Sequence, residues 1–154
     1  MRVIESGLCD VRAEESVTVM MPSNLYGCRL MEDVFIGPFV EVQCDVVIGA
    51  RTRVQSHSFI CSLVEIGEDC FIGHGVMFIN DTFLGGRLAK ENKEWKKTRI
   101  GNRVLIGSNA TILPVYICDD VAIGAGSVVV KDITESGIYA GNPARKIKDI
   151  CEKN

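Results

Sequence analysis

The feature that most constrains how this chain can fold is a hydrophobic period of six residues. Over one long stretch every sixth residue is aliphatic or aromatic: Leu30, Ile36, Val42, Ile48, Val54, Ile60, Ile66, Ile72 and Phe78. The residue four positions after each of them is mostly small or β-branched, from Val34 to Val76. A period of six matches neither the 3.6-residue turn of a helix nor the alternation of a flat strand. It predicts a solenoid of short parallel strands, in which three faces of six residues make each 18-residue coil.

Glycine is placed with a similar regularity. Of the 15 glycines, seven directly follow an isoleucine, from Ile36-Gly37 to Ile123-Gly124. Because glycine has no Cβ, we expect these residues to let the backbone turn at the corners of the solenoid. The pattern predicts coils over residues 30–78 and 100–133, and an irregular start over residues 1–29.

The six-residue pattern has two interruptions. Residues 79–99 are polar and charged and could not enter a narrow core, so we expect a loop extruded from the solenoid. The second interruption is a five-residue step from Ile112 to Ile117, next to Pro114.

After Ile133 the period ends, and residues 134–154 are predicted to form a tail with a short helix. Asn142-Pro143 is typical of a helix N-terminus, with Asn as the cap and Pro at the first helical position. The helix would present Ile147, Ile150 and Cys151 on one face, to pack against the last coil or a neighbouring subunit. We therefore expect one all-β domain over residues 1–154 with this helix at its end.

Composition excludes several classes of function. The formal net charge is −3, so no basic excess favours nucleic acid as a partner. No apolar run reaches the length of a membrane span, and the N-terminus does not resemble a signal peptide. The seven cysteines are an odd number without a Cys-x-x-Cys pair, which suits free thiols in a reducing cytoplasm.

The tandem pattern Ile/Val-Gly-x-x-small-x resembles the hexapeptide-repeat acyltransferases, whose fold is a left-handed parallel β-helix. The run over residues 123–132, followed by Tyr139 to Arg145, is similar to their closing C-terminal signature. The resemblance implies the handedness of the solenoid, a homotrimer, and acetyl-CoA in the groove between adjacent subunits.

Two further segments narrow the resemblance. Phe78-Ile79-Asn80-Asp81 precedes the extruded loop, and residues 106–114 follow it. This arrangement resembles the nucleotide-linked amino-sugar N-acetyltransferases, which serve surface-glycan biosynthesis. In galactoside and maltose O-acetyltransferases a catalytic histidine follows the Ile-Gly-x of this coil, whereas this chain has Asn109 there.

Acetyl transfer needs a nucleophile, a route for its proton and donors for the thioester oxyanion. Asn80 and Asp81 are candidates to hold the incoming amine and to balance its charge; the alternative is an Asx turn that starts the loop. His74 is a candidate base expected near the mouth of the loop, and His57 a second one that could face a neighbour's loop; either could instead be a corner residue bonded to backbone.

The resemblance places acetyl-CoA against the glycine-rich corners and the C-terminal signature. Backbone N–H groups there could bind the pantetheine arm and polarise the thioester carbonyl, and cations could contact the phosphates. The candidate residues are Gly107, Ser108, Gly124, Ala125, Gly126, Lys131, Asn142 and Arg145. No metal is expected, because a zinc site of three histidines cannot be built from two.

The chain is therefore predicted to be an acetyl-CoA-dependent N-acetyltransferase acting on an amino sugar that is linked to a nucleotide. One alternative is sugar O-acetylation with His74 or His57 as base, because a hydroxyl needs a positioned base and a neutral amine does not. The other is a non-catalytic β-helix that serves as a scaffold subunit.

Overall fold

The computed structural model describes residue 1 and residues 6–150 of the chain. Its strands are two to four residues long and wind around three flat faces of a prism. Face A contains β1 (Leu8–Cys9), β4 (Asn24–Tyr26), β7 (Glu41–Val42), β10 (Phe59–Ile60), β13 (Met77–Phe78), β16 (Thr111–Ile112) and β19 (Val128–Val129). Face B contains β2 (Arg12–Ala13), β5 (Arg29–Leu30), β8 (Val47–Ile48), β11 (Val64–Ile66), β14 (Thr98–Ile100) and β17 (Tyr116–Ile117).

Face C contains β3 (Thr18–Val19), β6 (Phe35–Ile36), β9 (Arg53–Val54), β12 (Phe71–Ile72), β15 (Leu105–Ile106), β18 (Val121–Ile123), β20 (Gly137–Ala140) and β21 (Arg145–Lys148). Every strand pair is parallel except β20 with β21. Ile36 pairs with Val54, eighteen residues on, which is the predicted length of one coil. The fold is thus all-β, as predicted, and consistent with the left-handed β-helix of hexapeptide repeats.

The core of the prism is a column of aliphatic side chains. All nine residues of the six-residue series are at most 1% exposed: Leu30, Ile36, Val42, Ile48, Val54, Ile60, Ile66, Ile72 and Phe78. The small or β-branched residues between them, such as Thr52 and Ser58, are buried as well, and their hydroxyls donate to the backbone carbonyls of Gly67 and Gly73. A solenoid this narrow has room for one large side chain on each face of each coil, which is why the sequence repeats so strictly.

The glycines that follow isoleucine do not make the turns, so that expectation is wrong. All seven lack a positive φ, and the left-handed residue lies two positions later: Phe39, Arg51, Asp69, Gly75, Arg103, Asn109 and Gly126. A Cβ on Gly49 would lie 2.5 Å from the carbonyl carbon of Gly67, and one on Gly67 would lie 2.5 Å from the carbonyl oxygen of Gly101. These glycines are needed because successive coils approach too closely for a side chain.

The irregular start predicted for residues 1–29 is also corrected. Strands β1 to β5 already lie on the three faces, with Leu8 opposite Leu25 and Thr18 opposite Phe35. The step between the buried side chains of Leu25 and Leu30 has five residues, which shifts the six-residue series and conceals these first coils in the sequence.

The C-terminal helix is not formed in the described part of the tail. Residues 141–144 make a turn, and β21 returns antiparallel to β20, with Ala140 opposite Arg145. The last coil leaves an open strand edge, and the tail satisfies its backbone there instead of within a helix. Ile147 and Ile150 remain exposed, and Cys151, the third residue of the predicted apolar face, lies outside the described residues.

The extruded loop is slightly shorter than predicted. Strand β14 begins at Thr98, which pairs with Val64 across the coil that the loop interrupts. Residues 79–97 therefore form the loop, with one short 3-10 helix over Asn92–Glu94. No helix among residue 1 and residues 6–150 is long and apolar enough to cross a membrane.

Candidate functional site

The three corners of the prism carry different side chains. The B–C corner, formed by the residues between face B and face C strands, holds charged residues that pair with each other. Arg51 binds Asp69 at 2.7 Å and Glu68 at 2.8 Å, and Arg103 binds Asp120 at 2.7 Å. The Arg51 guanidinium lowers the pKa of the Asp69 carboxyl through this hydrogen bond. The ion pairs are exposed and contribute little stability, but they pair the charges of Arg51 and Arg103.

The C–A corner connects face C strands to the following face A strands, and after β6 it consists of residues 37–40, 55–58, 73–76, 107–110 and 124–127. It carries both histidines and the glycine-rich segments, so five consecutive coils contribute to one column. The carbonyl of His74 accepts the Asn109 amide at 2.8 Å, and the carbonyl of Ser108 accepts the Gly126 amide at 2.9 Å. The predicted base His74 therefore lies on the same corner as the predicted CoA-binding residues, one coil before Ser108.

His74 is exposed, and its imidazole has a defined partner. Nδ1 lies 2.9 Å from Oγ of Ser56, one coil earlier. Gly73 and Gly75 flank His74, and a Cβ on Gly75 would lie within 2.4 Å of Oδ1 of Asn109. When Nδ1 donates to the Ser56 hydroxyl, Nε2 is the nitrogen that can accept a proton. The geometry is that of an oriented base at the surface of the corner.

His57 is also exposed on this corner. Its ring stacks on that of Phe39, with 4.9 Å between the centroids and 26° between the planes. Its backbone N–H donates to the carbonyl of Pro38 at 3.3 Å. The structure places its side chain one coil from His74, against an aromatic ring.

The predicted CoA-binding glycines use their own amides within the coils. Gly107 donates to the carbonyl of Ile123, Gly124 to that of Tyr139, and Gly126 to that of Ser108. The expectation that these glycine N–H groups are accessible is therefore wrong. The backbone N–H groups of Ser108 and Ala125 donate to no backbone acceptor among the described residues, and their nitrogens lie against Gly73 and Gly107 of the preceding coils.

Asn80 and Asp81 lie on the A–B corner, where residues between face A and face B strands include the extruded loop. Both oxygens of Asp81 accept loop amides at 2.8 Å, Oδ1 from Phe83 and Oδ2 from Ala89. The side-chain amide of Asn80 donates to the backbone carbonyl of Ser62 at 3.2 Å, and the backbone carbonyl of Asn80 accepts the Lys96 N–H at 3.0 Å. The pair therefore fixes the base of the loop, as in the Asx-turn alternative.

The structure separates these two groups within one subunit. His74 and Asn80 lie on either side of strand β13 on face A, so they belong to the two neighbouring corners of that face. The expectation that His74 lies at the mouth of the loop is wrong. Six residues span a whole side of the prism, which places them on neighbouring corners.

Lys131 and Arg145 meet at the C-terminal end of the prism. They line a cavity of about 290 Å³ with Tyr139 and Lys146. Lys146 binds Glu135 at 2.6 Å and Asp149 at 2.7 Å, so its charge is already paired. Asn142 is exposed in the turn between β20 and β21. Among the described residues, no three His, Cys, Asp or Glu side chains come together as a metal site.

Comparison with known proteins identifies the repeats. Residues 27–62 match the model of the bacterial transferase hexapeptide (six repeats), and residues 97–131 match that of the hexapeptide repeat of succinyl-transferase. Both regions of this chain therefore carry hexapeptide repeats of the transferase type. The two matched regions lie on either side of the extruded loop, which is the part of the prism that the repeat does not describe.

Individual relatives of this hexapeptide-repeat protein are longer than the chain. It is 33% identical over 111 residues to a serine acetyltransferase of Mycobacterium tuberculosis, covering 70% of this chain and 45% of the relative. It is 36% identical over 113 residues to the bifunctional protein GlmU of Acinetobacter baumannii, covering 73% of this chain and 22% of the relative. The chain thus spans less than half the length of these relatives.

A solved structure shares the fold. It is a mutant of GDP-perosamine N-acetyl transferase from Caulobacter crescentus in complex with CoA and GDP-perosamine. The TM-score is 0.67 at 23% sequence identity, covering 94% of this chain and 58% of the other.

Two corner residues escaped the sequence reasoning. Ser56, which binds His74, and Phe39, which stacks on His57, each precede their partner by 18 residues. In a solenoid whose coil has that length, residues 18 apart lie directly above one another, so the signal was available in the repeat itself.

Proposed function

We propose that this chain is an acetyl-CoA-dependent N-acetyltransferase acting on a nucleotide-linked amino sugar. The observation that carries the proposal is the order of residues along the C–A corner. His74 lies one coil before Ser108, and Ala125 lies in the coil after Ser108. A thioester bound along the backbone amides of Ser108 and Ala125 would present its acetyl group beside an oriented imidazole. The relative named serine acetyltransferase supports acetyl transfer, and the structure with CoA and GDP-perosamine supports a nucleotide-linked amino sugar.

In this reaction the neutral amine attacks the thioester carbonyl. The N–C bond forms, the C–S bond breaks, and the amine proton passes to Nε2 of His74 or to the departing CoA sulfur. The amides of Ser108 and Ala125 would donate to the oxygen that becomes negative in the transition state. Lys131 and Arg145 are the cations proposed to contact CoA phosphates, with Asn142 in the nearby turn.

Asn80 and Asp81 are proposed to bind the amino-sugar substrate. Each carboxylate oxygen of Asp81 accepts one loop amide, and a carboxylate has about four acceptor positions, so it can also attract an ammonium group. Within one subunit His74 lies on a different corner, on the other side of strand β13. In a homotrimer, which the family resemblance implies, the loop of one subunit would reach the C–A corner of its neighbour and complete the site.

Sugar O-acetylation is the second candidate, and one observation favours it. The Ser56–His74 hydrogen bond orients an imidazole, and a hydroxyl acceptor needs such a base more than an amine does. O-acetylation predicts that transfer is lost when the imidazole is removed, whereas N-acetylation of a neutral amine does not require the imidazole.

The test measures CoA release from acetyl-CoA with a nucleotide-linked amino sugar, for wild type and for His74→Ala, His57→Ala, Asn80→Ala and Asp81→Ala. We expect Asn80→Ala and Asp81→Ala to lose rate, and His74→Ala to lose part of it, because the departing CoA sulfur remains as a second proton acceptor. Full activity in all four variants would contradict the assigned site. O-acetylation would be favoured if wild type transfers the acetyl group to hydroxyl acceptors and not to amines, and if His74→Ala loses all of this transfer.

A further inference from the structure

The pair Phe39 and His57 is an exposed aromatic stack on the C–A corner. The ring centroids are 4.9 Å apart, and the planes are inclined by 26°. Phe39 is 57% exposed, and His57 is exposed as well. The stack therefore presents a flat aromatic surface to solvent, instead of filling the core of the prism.

The fold does not require aromatic rings at these two positions. Phe39 and His57 have φ angles of 59° and 65°, a left-handed conformation that a bulky side chain disfavours. The same position in the next three coils is taken by Gly75, Asn109 and Gly126, which tolerate this conformation better. Backbone hydrogen bonds hold the turn in each case, so a smaller residue would serve the corner equally well.

The position of the stack relative to His74 indicates its ligand. Coils lie about 4.8 Å apart, so the Phe39 ring is displaced from His74 by roughly two coils, or about 10 Å, towards the N-terminal end. The predicted CoA-binding residues begin at Gly107 and continue in the opposite direction, to the cavity of Lys131 and Arg145. Along the corner, the stack lies on the N-terminal side of His74, and the predicted CoA-binding residues lie on its C-terminal side.

We propose that the Phe39–His57 stack binds the nucleobase of the sugar substrate. Aromatic side chains stack on any planar heterocycle, because every nucleobase has a π face. The sugar amine would lie at His74, the diphosphate along the corner, and the base on the exposed rings. The inference rests on the proposed function, since it requires a substrate that carries a nucleotide.

Isothermal titration calorimetry tests the inference with free UDP, dTDP and GDP, and separately with CoA, whose adenine is the other planar base. The variants are Phe39→Leu, which keeps apolar volume without a ring, and Phe39→Trp, which keeps a ring. Phe71→Leu is the control, because Phe71 is also partly exposed but lies on strand β12 of face C, outside the corner segments.

We expect at least one nucleoside diphosphate to bind wild type and to bind Phe39→Leu about tenfold more weakly. Phe39→Trp and Phe71→Leu should keep its affinity, and CoA should bind all four proteins alike. Weaker binding of CoA alone would assign the stack to adenine and overturn the proposal. Unchanged binding of every ligand, or a change of oligomeric state in Phe39→Leu by size-exclusion chromatography, would show that the stack serves structure only.

The proposed function can be judged separately. If wild type binds no nucleoside diphosphate, the stack proposal fails. Release of CoA in the presence of an amino sugar without a nucleotide would then still support N-acetylation. If CoA neither binds nor is released with any acceptor, the proposed function itself fails.

Discussion

Replacing Asp81 tests whether this residue fixes the extruded loop. The two loop amides that its carboxylate accepts at 2.8 Å belong to Phe83 and Ala89, two and eight residues further along the chain. A hydrogen bond to a charged group contributes about 1.5–3 kcal/mol when well protected, and about 1 kcal/mol is reasonable for each bond at this half-buried position. Asp81→Ala should therefore cost the closed loop about 2 kcal/mol, which raises its open population about thirtyfold.

Limited trypsin digestion measures that population, because the loop offers Arg87, Lys90 and Lys93 as cleavage sites. When opening is fast relative to cleavage, the cleavage rate follows the fraction of open loop. We expect Asp81→Ala to be cut about thirtyfold faster than wild type, and Asp81→Asn, which keeps one acceptor oxygen, to be intermediate. The melting temperature of the prism should stay nearly unchanged, because the loop lies outside the core. Equal cleavage rates in Asp81→Ala and wild type would refute the anchoring role.

Further predictions concern the prism and the corner. Gly49→Ala should lower the melting temperature by several degrees, since overpacking costs about 1–3 kcal/mol. Gly86→Ala has open space for the added methyl group, so it should cost only the strain of an L side chain at a φ of 70°. A melting temperature of Gly49→Ala at or above wild type would contradict close coil stacking. Burial raises the pKa of Cys28 to about 11 and of Cys61 to about 12, so both thiols should resist iodoacetamide in the folded protein while Cys9 reacts. Because these pKa values are raised on folding, the free energy of unfolding should fall as pH rises from about 9 towards 11, as followed by urea denaturation. Ser56→Ala should lower the rate of CoA release, because the hydroxyl that orients His74 is lost, while Ser56→Thr restores it; equal rates in all three proteins would exclude an orienting role for Ser56. If the chain assembles as the homotrimer that the family resemblance implies, co-expressed His74→Ala and Asn80→Ala subunits should regain part of the activity that each variant loses alone, and no recovery would argue against a shared site.

The sequence predicted the central part of the fold because the geometry there permits few alternatives. A narrow prism accepts one large side chain per face, so the series from Leu30 to Phe78 specifies the coil directly. The coils before Leu30 were concealed by a single five-residue step from Leu25. The tail was misassigned because Asn142-Pro143 is equally compatible with a turn, and the open edge of β20 decides between them.

The candidate site was predicted in part. The sequence predicted His74 at the mouth of the loop, whereas the structure has it one coil before Ser108 and on a different corner from Asn80. The role of the glycines after isoleucine was mistaken because a missing Cβ permits both a turn and a close approach. Only the distance from Gly49 to Gly67 in the next coil distinguishes these two reasons.

The central claim is that the C–A corner transfers an acetyl group from acetyl-CoA to the amine of a nucleotide-linked sugar. The most direct measurement is CoA release by wild type with pairs of nucleotide-linked sugars that differ only in an amino or a hydroxyl group at one carbon. We expect release with at least one amino sugar and with none of the hydroxyl sugars, together with a product that carries the acetyl group on nitrogen. Release with the hydroxyl sugars alone, or no release with any member of the panel, would contradict the claim.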